Sequence, residues 1–231
     1  MSPSSNPLIM LLDIFRSPVA CFLALYQRGT WGWQPFIVLM LSPFLFWGAY
    51  FSEVDFTWLS HELTVQLQQI NPEQIALLQP DTLMATATIN NIFNRLATLL
   101  LLALWFFLAT KTTQAQASIG YWKWFAASCA ILFPAVLGDF ASYASLLLKH
   151  GQVMSYAADL NSLNGLLKLP LTNDWSQFTS SFPLLLPWYI ALGYGVVLTW
   201  TSMERGQALV LSALPWVGFY VIWAMFILLT H

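Results

Sequence analysis

Long apolar segments are the feature of this chain that most constrains its fold. Crossing about 30 Å of hydrocarbon takes about 20 apolar residues in one helix, because lipid cannot satisfy open backbone N–H and C=O groups. Five segments approach or exceed that length, and each is bounded by charge, proline or an aromatic pair. They are residues 35–51, 92–110, 124–148, 182–200 and 207–230. The sequence therefore predicts an all-α fold, an integral membrane bundle of five transmembrane helices.

Composition supports a lipid environment. Of 231 residues, 58% are hydrophobic and only 8% are charged, against roughly a quarter charged in soluble domains. The 12 Trp and 8 Tyr suit a protein with two water–lipid boundaries. A net charge of −2 gives no electrostatic footprint for nucleic acid.

We predict one membrane domain over residues 1–231, with an N-terminal segment at 1–34 and the bundle at 35–230. Apolar and charged side chains alternate early in the first part, a pattern typical of an amphipathic helix on the inner membrane surface. The residues of this pattern are Leu8, Leu11, Leu12 and Phe15, with Asp13 and Arg16 between or beside them. A helix packed under the bundle is the alternative.

Basic residues predict the orientation, since Lys and Arg resist translocation while acidic residues matter little. One side of the membrane would hold Arg16, Arg28, Lys111, Lys123 and Arg205, and the other Lys149 and Lys168, with Arg95 just inside the second span. We therefore expect a cytoplasmic N-terminus and a C-terminus outside.

Polar side chains follow one face of the second and the third predicted span. Four of them have the helical spacing i, i+3, i+4, i+7, and three more have the spacing i, i+3, i+4. They are Asn91, Asn94, Arg95 and Thr98 in the second span, and Asp139, Ser142 and Tyr143 in the third. We expect these seven residues to form an intramembrane polar cluster that faces protein instead of lipid.

Arg95 and Asp139 are predicted to pair within this cluster. Arg95 lies 16 residues before Lys111, and Asp139 lies 16 residues after Lys123. In straight antiparallel helices both charges would then lie about 24 Å from the inner boundary. A proline at position 134 would shift this register if it kinks the helix. The pair is either structural or part of a ligand or proton pathway.

Small residues recur every four positions along the third span. They are Ala126, Ala130, Pro134, Gly138 and Ser142. This interval lets another helix approach closely. We expect the neighbour to belong to the same chain, and a dimer face is the alternative.

Catalytic, cofactor-binding and metal-binding residues are not predicted. His61, His150 and His231 lie outside the predicted spans, and none has a second His or Cys at ligand spacing. Cys21 and Cys129 lie far apart in apolar surroundings, which suits two buried side chains. We therefore expect no enzymatic activity and no cofactor.

Weak patterns of apolar residues with Pro, Gly and Trp carry a family resemblance over nearly the whole chain. The stretches are Asn6-Pro7 with Ile14-Phe15-Arg16-Ser17-Pro18, Tyr121-Trp122-Lys123-Trp124-Phe125 with Phe133-Pro134, Trp188-Tyr189-Ile190-Ala191-Leu192-Gly193, Gly206-Gln207-Ala208 and Leu214-Pro215-Trp216. In these stretches the chain resembles the Yip1 domain family, five-helix membrane proteins of eukaryotic secretory membranes and of many bacteria.

The resemblance implies a membrane-organising or partner-binding role. This sequence departs from the eukaryotic members by lacking their long cytosolic N-terminal region, where contact with small GTPases is expected to lie. That makes small-GTPase binding doubtful and favours a bacterial inner membrane. The expected partners are the lipid bilayer and other membrane proteins or a homo-oligomer. A small-solute or ion transporter or channel, using the polar face of spans two and three, is the alternative function.

Overall fold

The computed structural model describes residues 2–67, 79–112, 119–148 and 151–230. Within these residues the chain forms helices and no strand beyond one isolated antiparallel bridge, between Ser162 and Pro183. The described helices are α1 (Pro7–Arg16), α2 (Pro18–Gln27), α3 (Trp33–Glu53), α4 (Phe56–Leu67), α5 (Pro80–Thr112), α6 (Tyr121–Leu132), α7 (Ala135–Leu147), α8 (Ser155–Ala158), α9 (Asn164–Leu167), α10 (Ser176–Ser181), α11 (Leu186–Trp200) and α12 (Arg205–Thr230), with a 3-10 turn at Gly29–Gly32. The predicted all-α class is confirmed.

Within the described residues, four helical segments are long and apolar enough to cross a membrane. They are Gly29–Glu53, Pro80–Lys111, Tyr121–Leu147 and Arg205–Thr230. In the third segment, 72% of the most apolar 18-residue stretch is buried inside the protein, against 22–33% of the corresponding stretch in each of the other three. The outward faces of those three helices carry large apolar side chains, such as Leu101 at 66% exposure and Leu229 at 82%. Hydrocarbon is the solvent that such faces need.

The predicted fourth span is shorter in the structure. Helix α11 begins at Leu186 and has 15 residues, a length of about 22 Å. Residues 182–184, shortly before it, pair with residues 161–163: Leu163 N–H donates to the carbonyl of Phe182, and Leu184 N–H donates to that of Asn161. Pro183, between Phe182 and Leu184, forms the isolated antiparallel bridge with Ser162, so these residues are paired and not helical.

Two other helices differ from their predicted bounds. Helix α5 has 33 residues and begins 12 positions before the predicted start, with Pro80 as its first residue and Asp81 in its first turn. Both residue types favour a helix N-terminus. The third span is divided into α6 and α7, which end and begin on either side of a turn that contains Pro134. Proline removes the N–H that a continuous helix requires there.

The chain divides into two compact units, and α3, α5 and α12 contribute residues to both. The first unit comprises Met1–Met40, Asn94–Pro134 and Leu185–Val221. Helix α2 packs against α6 and α11 in it, with Phe22 fully buried. The indole Nε1 of Trp200 donates to the carbonyl of Phe22 at 2.8 Å, and its ring lies 5.1 Å from that of Trp124.

Helix α1 also belongs to the first unit and packs on α2. Met10 and Ile14 are fully buried, whereas Leu8 and Leu12 on the other face are exposed. Asp13 accepts a hydrogen bond from Ser4 Oγ at 2.7 Å. The helix therefore buries one apolar face in protein and leaves a second apolar face outside.

The second unit comprises Leu41–Phe93, Ala135–Leu184 and Ile222–His231. Its apolar core is a cluster of six buried residues: Phe46, Tyr50, Leu59, Leu146, Met154 and Ala158. The hydroxyl of Tyr50 donates to the carbonyl of Val153 at 2.9 Å, and the backbone N–H of Leu171 donates to Gln66 Oε1 at 3.2 Å. The segment after α7 is therefore packed onto α3 and α4.

Cys21 of α2 is expected to resist alkylation in the folded protein. Burial, with the nearby negative charge of Asp13 as a smaller cause, raises the pKa of its thiol from 9.0 to about 12, and the thiolate is the reactive species. In a Cys129→Ala variant, maleimide labelling in mild detergent should be negligible and should barely rise between pH 7 and pH 9. Full labelling should follow denaturation in dodecyl sulfate.

A Ser202→Cys variant, with Cys21 and Cys129 both replaced by alanine, provides the matched control. Ser202 is exposed in the turn between α11 and α12, so its thiol should react at once and faster at higher pH. Equal labelling rates for Cys21 and this exposed thiol would show that α2 is not packed as described.

Candidate functional site

Asp139 is the buried acidic group around which the candidate site forms. It lies on α7 with 3% of its surface exposed. Its carboxylate accepts a hydrogen bond from Ser42 Oγ of α3 at 2.5 Å and one from Asn161 Nδ2 at 2.6 Å. Charged side chains are almost never fully buried unless they have partners, and here the chain itself supplies hydrogen-bond donors.

Ser142 lies three residues after Asp139 on α7 and extends the site. Its hydroxyl donates to the carbonyl of Gly138 and accepts the backbone N–H of Leu160, both at 2.8 Å. Asn161 N–H in turn donates to Asp159 Oδ1 at 2.9 Å. We call Ser42, Asp139, Ser142 and Asn161, with these bonds, the Asp139 network. It fastens residues 159–161 to the helix.

Gly138 makes this close approach possible. A Cβ atom built on Gly138 would lie 1.7 Å from Asn161 Oδ1, far inside contact distance. Ala126, on the same four-residue stripe, likewise meets the chain's own backbone: a Cβ atom on Gly32 would lie 2.2 Å from the Cβ of Ala126. These two members of the stripe therefore contact neighbours within the chain.

A second buried amide holds the segment that follows. Asn164 is fully buried, and its Oδ1 accepts the N–H of Leu169 at 2.8 Å. Its Nδ2 donates to the carbonyl of Leu169 at 3.2 Å and to Ser180 Oγ at 3.0 Å. Lys168, between these groups, has a left-handed backbone with φ of 55°. The side chain of Asn164 thus takes the place of backbone pairing in a tight turn.

Arg95 binds a backbone carbonyl of α3 in the first unit. Its Nη1 donates to the carbonyl of Leu39 at 3.1 Å. In an unbroken helix that carbonyl would accept the N–H of residue 43, which is Pro43, a residue inside α3 with no N–H. The guanidinium therefore supplies a donor that the proline removes.

Trp105 repeats this arrangement on α5. Its indole Nε1 donates to the carbonyl of Leu211 at 2.8 Å, four residues before Pro215 in the interior of α12. Side chains on neighbouring helices are one of the ways in which membrane proteins satisfy carbonyls freed by proline. One long helix thus supports prolines in two others.

The remaining residues of the predicted cluster have different surroundings. Asn94 is exposed, and its carbonyl accepts from Thr98 Oγ1 at 2.8 Å. Tyr143 is half-buried, as is Asn91, whose Oδ1 has no hydrogen-bond partner in the structure as described. The structure therefore brings Asp139 and Ser142 together with residues outside the predicted set. Arg95 and Asp139 belong to different units, and their ion pair stays a prediction.

Ser42 and Asn161 are the members of the network that sequence reasoning missed. Ser42 is a polar residue in an apolar span, which is a usable signal. Asn161 lies in a stretch with no helical periodicity, and nothing in its local sequence distinguishes it from a solvated loop amide.

Two carboxylates lie at the site: that of Asp139 accepts from the hydroxyl of Ser42 and the amide of Asn161, and that of Asp159 accepts the backbone N–H of Asn161. Among the residues that the structure describes, no group of three or more His, Cys, Asp or Glu side chains could hold a metal ion. The oxygen atoms of Asp139 and Ser142 are engaged by the chain itself, so the arrangement is suited to fixing one segment on another.

The paired roles of Arg95 and Pro43 predict a non-additive mutant pair. Arg95→Met should lower the melting temperature in detergent, because the carbonyl of Leu39 loses a charged donor worth about 1.5–3 kcal/mol. Pro43→Ala restores a backbone N–H four residues after Leu39, so Arg95→Met should cost clearly less in that background. Thermal unfolding of the four proteins of this cycle measures the coupling.

Pro215→Ala is a matched control for that cycle, since it changes the other proline that a side-chain donor supports. It should leave the cost of Arg95→Met unchanged while reducing the cost of Trp105→Phe. Additive effects of Arg95→Met and Pro43→Ala would contradict the role given to Arg95.

Comparison with known proteins gives a family match. A family model described as the Yip1 domain matches residues 12–226, which is nearly the whole chain. No curated protein and no solved structure matches significantly.

Proposed function

Because the chain belongs to the Yip1 domain family, as its sequence resemblance predicts, we propose that this multipass membrane protein is a scaffold without catalytic activity. It would organise the bilayer or bind other membrane proteins. One observation carries the proposal: Asp139, the buried carboxylate of α7, is bound by Ser42 and Asn161 of the chain itself.

Transport makes a different demand on such groups. A transporter exposes polar atoms in a cavity near mid-membrane, where they exchange partners with the solute. The hydroxyl of Ser142 instead bonds two backbone groups of the chain, one as donor and one as acceptor. The wide apolar faces of α3, α5 and α12 point outward, where lipid or a partner helix can cover them. These features favour organising and binding over conduction.

The proposal includes a topology of five crossings. Helix α11 would be the fourth, and its length of about 22 Å is less than the hydrocarbon thickness of about 30 Å. Local thinning of the bilayer accommodates a short span, and α11 is sheltered by its packing on α2 and α6. The exposed Leu8 and Leu12 of α1 support an N-terminal helix at the interface.

The basic residues assigned to the inner side support a cytoplasmic N-terminus, an outside C-terminus and residence in a bacterial inner membrane. Reporter fusions test this topology. A periplasm-dependent phosphatase joined after Thr230 should be active, and a cytoplasm-dependent fluorescent protein at the same place should be dark. The reverse result would give an even number of crossings or an inverted protein.

Liposome measurements test the function. Purified full-length protein in sealed vesicles should pass no more protons, potassium ions or small sugars than protein-free vesicles. Crosslinking in native membranes should recover a defined membrane protein or a second copy of the chain. Gly48→Ala is the control for Asp139→Asn in the flux measurement, because a side chain added at Gly48 meets nothing within 4 Å.

If solute flux exceeds the protein-free level and Asp139→Asn abolishes it, the protein is a transporter and not a scaffold. Flux that survives Asp139→Asn would also contradict the scaffold, and it would place the pathway away from the Asp139 network.

A further inference from the structure

Two adjacent leucines project from the short helix α9. Leu166 is 61% exposed and Leu167 is 52% exposed. The turn that carries them is rigid, because the fully buried Asn164 binds the backbone of Leu169 through both ends of its amide. Adjacent apolar side chains on a fixed and exposed turn indicate a surface that another molecule or the membrane covers.

Contacts within the second unit place this turn beside the last part of α12. The ring of Phe178 on α10 lies 5.7 Å from that of Trp223 on α12. Helix α9 packs on α10, and Asn164 Nδ2 donates to Ser180 Oγ at 3.0 Å. The position of Trp223 along α12 therefore gives the level of α10 and of the turn that is bonded to it.

Large apolar side chains continue on the outward face of α12 beyond Trp223. Phe226, Leu228 and Leu229 are all exposed, and Leu229 is six residues after Trp223, about 9 Å further along the axis. Helix α12 is one of the segments apolar enough to cross a membrane, so hydrocarbon is the solvent that these side chains need. The apolar layer therefore extends past the level of Phe178.

The backbone of the turn is suited to that layer. Lipid cannot satisfy open N–H groups, and every backbone N–H from Gly165 to Leu169 has an acceptor within the chain. Lys168 is exposed, and a lysine at this level extends its ammonium group to the boundary while its stem stays in apolar surroundings. Residues 172–174 are polar and exposed, and such groups need water.

We propose that α9 inserts into the lipid leaflet at the C-terminal end of α12. Leu166 and Leu167 lie among the acyl chains, Lys168 reaches the phosphate layer, and residues 172–174 remain in water. Residues 159–184 then form a re-entrant element whose partner is the bilayer. Lipid is favoured over a second protein because the hydrocarbon that covers α12 is already present at this level. The proposal uses the membrane residence of the chain and not its scaffold function.

Site-directed spin labelling of the full-length protein tests the insertion. Leu166→Cys and Leu167→Cys are made one at a time in a protein whose Cys21 and Cys129 are replaced by alanine. Each variant is labelled and reconstituted in vesicles of phosphatidylethanolamine and phosphatidylglycerol. Collision of the label with apolar molecular oxygen should then exceed its collision with a water-soluble nickel chelate.

Two labelled positions calibrate the measurement. Leu229→Cys, on the outward face of α12, gives the values for lipid, and Leu166→Cys and Leu167→Cys should match them. Thr172→Cys is the matched control in the same segment, since Thr172 is exposed and polar. Its label should collide more with the nickel chelate than with oxygen. The leucines are exposed, so their replacement should leave the melting temperature of the cysteine-free parent unchanged.

Two results would overturn the proposal. Nickel collision at Leu166→Cys and Leu167→Cys as frequent as at Thr172→Cys would place the turn in water. Immobile labels that neither reagent reaches would mean that protein covers the turn, either a second copy of the chain or another membrane protein. Solute flux and crosslinking test the scaffold separately, so either proposal can fail while the other stands.

Discussion

Gly138→Ala is expected to lower the melting temperature of the detergent-solubilised protein by several degrees. The new methyl group would lie 1.7 Å from Asn161 Oδ1, so the amide must move and its 2.6 Å bond to Asp139 must break. Overpacking of this kind costs about 1–3 kcal/mol. At about 2–4 °C per kcal/mol for a chain of this size, thermal unfolding followed by tryptophan fluorescence resolves the change.

Gly48→Ala is the matched control, because Gly48 lies inside α3 and an added Cβ would meet nothing within 4 Å. It should be neutral or slightly stabilising, since alanine is the better helix former. In an Asn161→Ala background, Gly138→Ala should cost almost nothing, because the amide that it would strike is gone. Equal melting temperatures for Gly138→Ala and Gly48→Ala would show that Asn161 does not pack against α7.

The membrane helices were predictable because hydropathy is a local property of the sequence. Residues 207–230 contain no charged side chain and are mostly apolar, and the structure has α12 over Arg205–Thr230. The predictions lost accuracy where tertiary contacts decide. Helix α5 continues through a mixed segment from Pro80 that hydropathy excludes. Conversely, α11 begins late because residues 182–184 pair with residues 161–163.

The candidate site was predictable only in part. Spacing placed Asp139 and Ser142 on one face of a helix, and both belong to the buried network. Their partners Ser42 and Asn161 lie 97 and 22 residues from Asp139. No local period connects residues at such separations. Position 43 carried a signal of another kind, since a proline inside a span implies a donor elsewhere for the carbonyl four residues before it.

Removing the carboxylate should have the largest effect of all the changes described. Asp139→Ala takes away the acceptor of Ser42 Oγ and of Asn161 Nδ2 at once. Each buried hydrogen bond to a charged group is worth about 1.5–3 kcal/mol, so the loss of two such bonds should cost about 3–6 kcal/mol. At about 2–4 °C per kcal/mol the melting temperature should fall by about 6–24 °C, and the amount of protein recovered from membranes should fall with it.

Two buried serines supply the control for this prediction. Ser42→Ala removes one bond of the network and should cost about 1.5–3 kcal/mol, whereas Ser128 is fully buried with no partner for its Oγ in the structure as described. Ser128→Ala should therefore be neutral or stabilising, because an unsatisfied buried hydroxyl is itself unfavourable.

Asp139→Asn separates a structural carboxylate from a functional one. The amide keeps an oxygen acceptor for Asn161 and turns an NH₂ group toward Ser42 Oγ, which can accept it. The variant should therefore lose less than half of the stability that Asp139→Ala loses, and cells should retain it in near-normal amounts. A variant of normal abundance and melting temperature that nevertheless loses the cellular phenotype would mean that the charge of Asp139 serves an activity and not the attachment of residues 159–161.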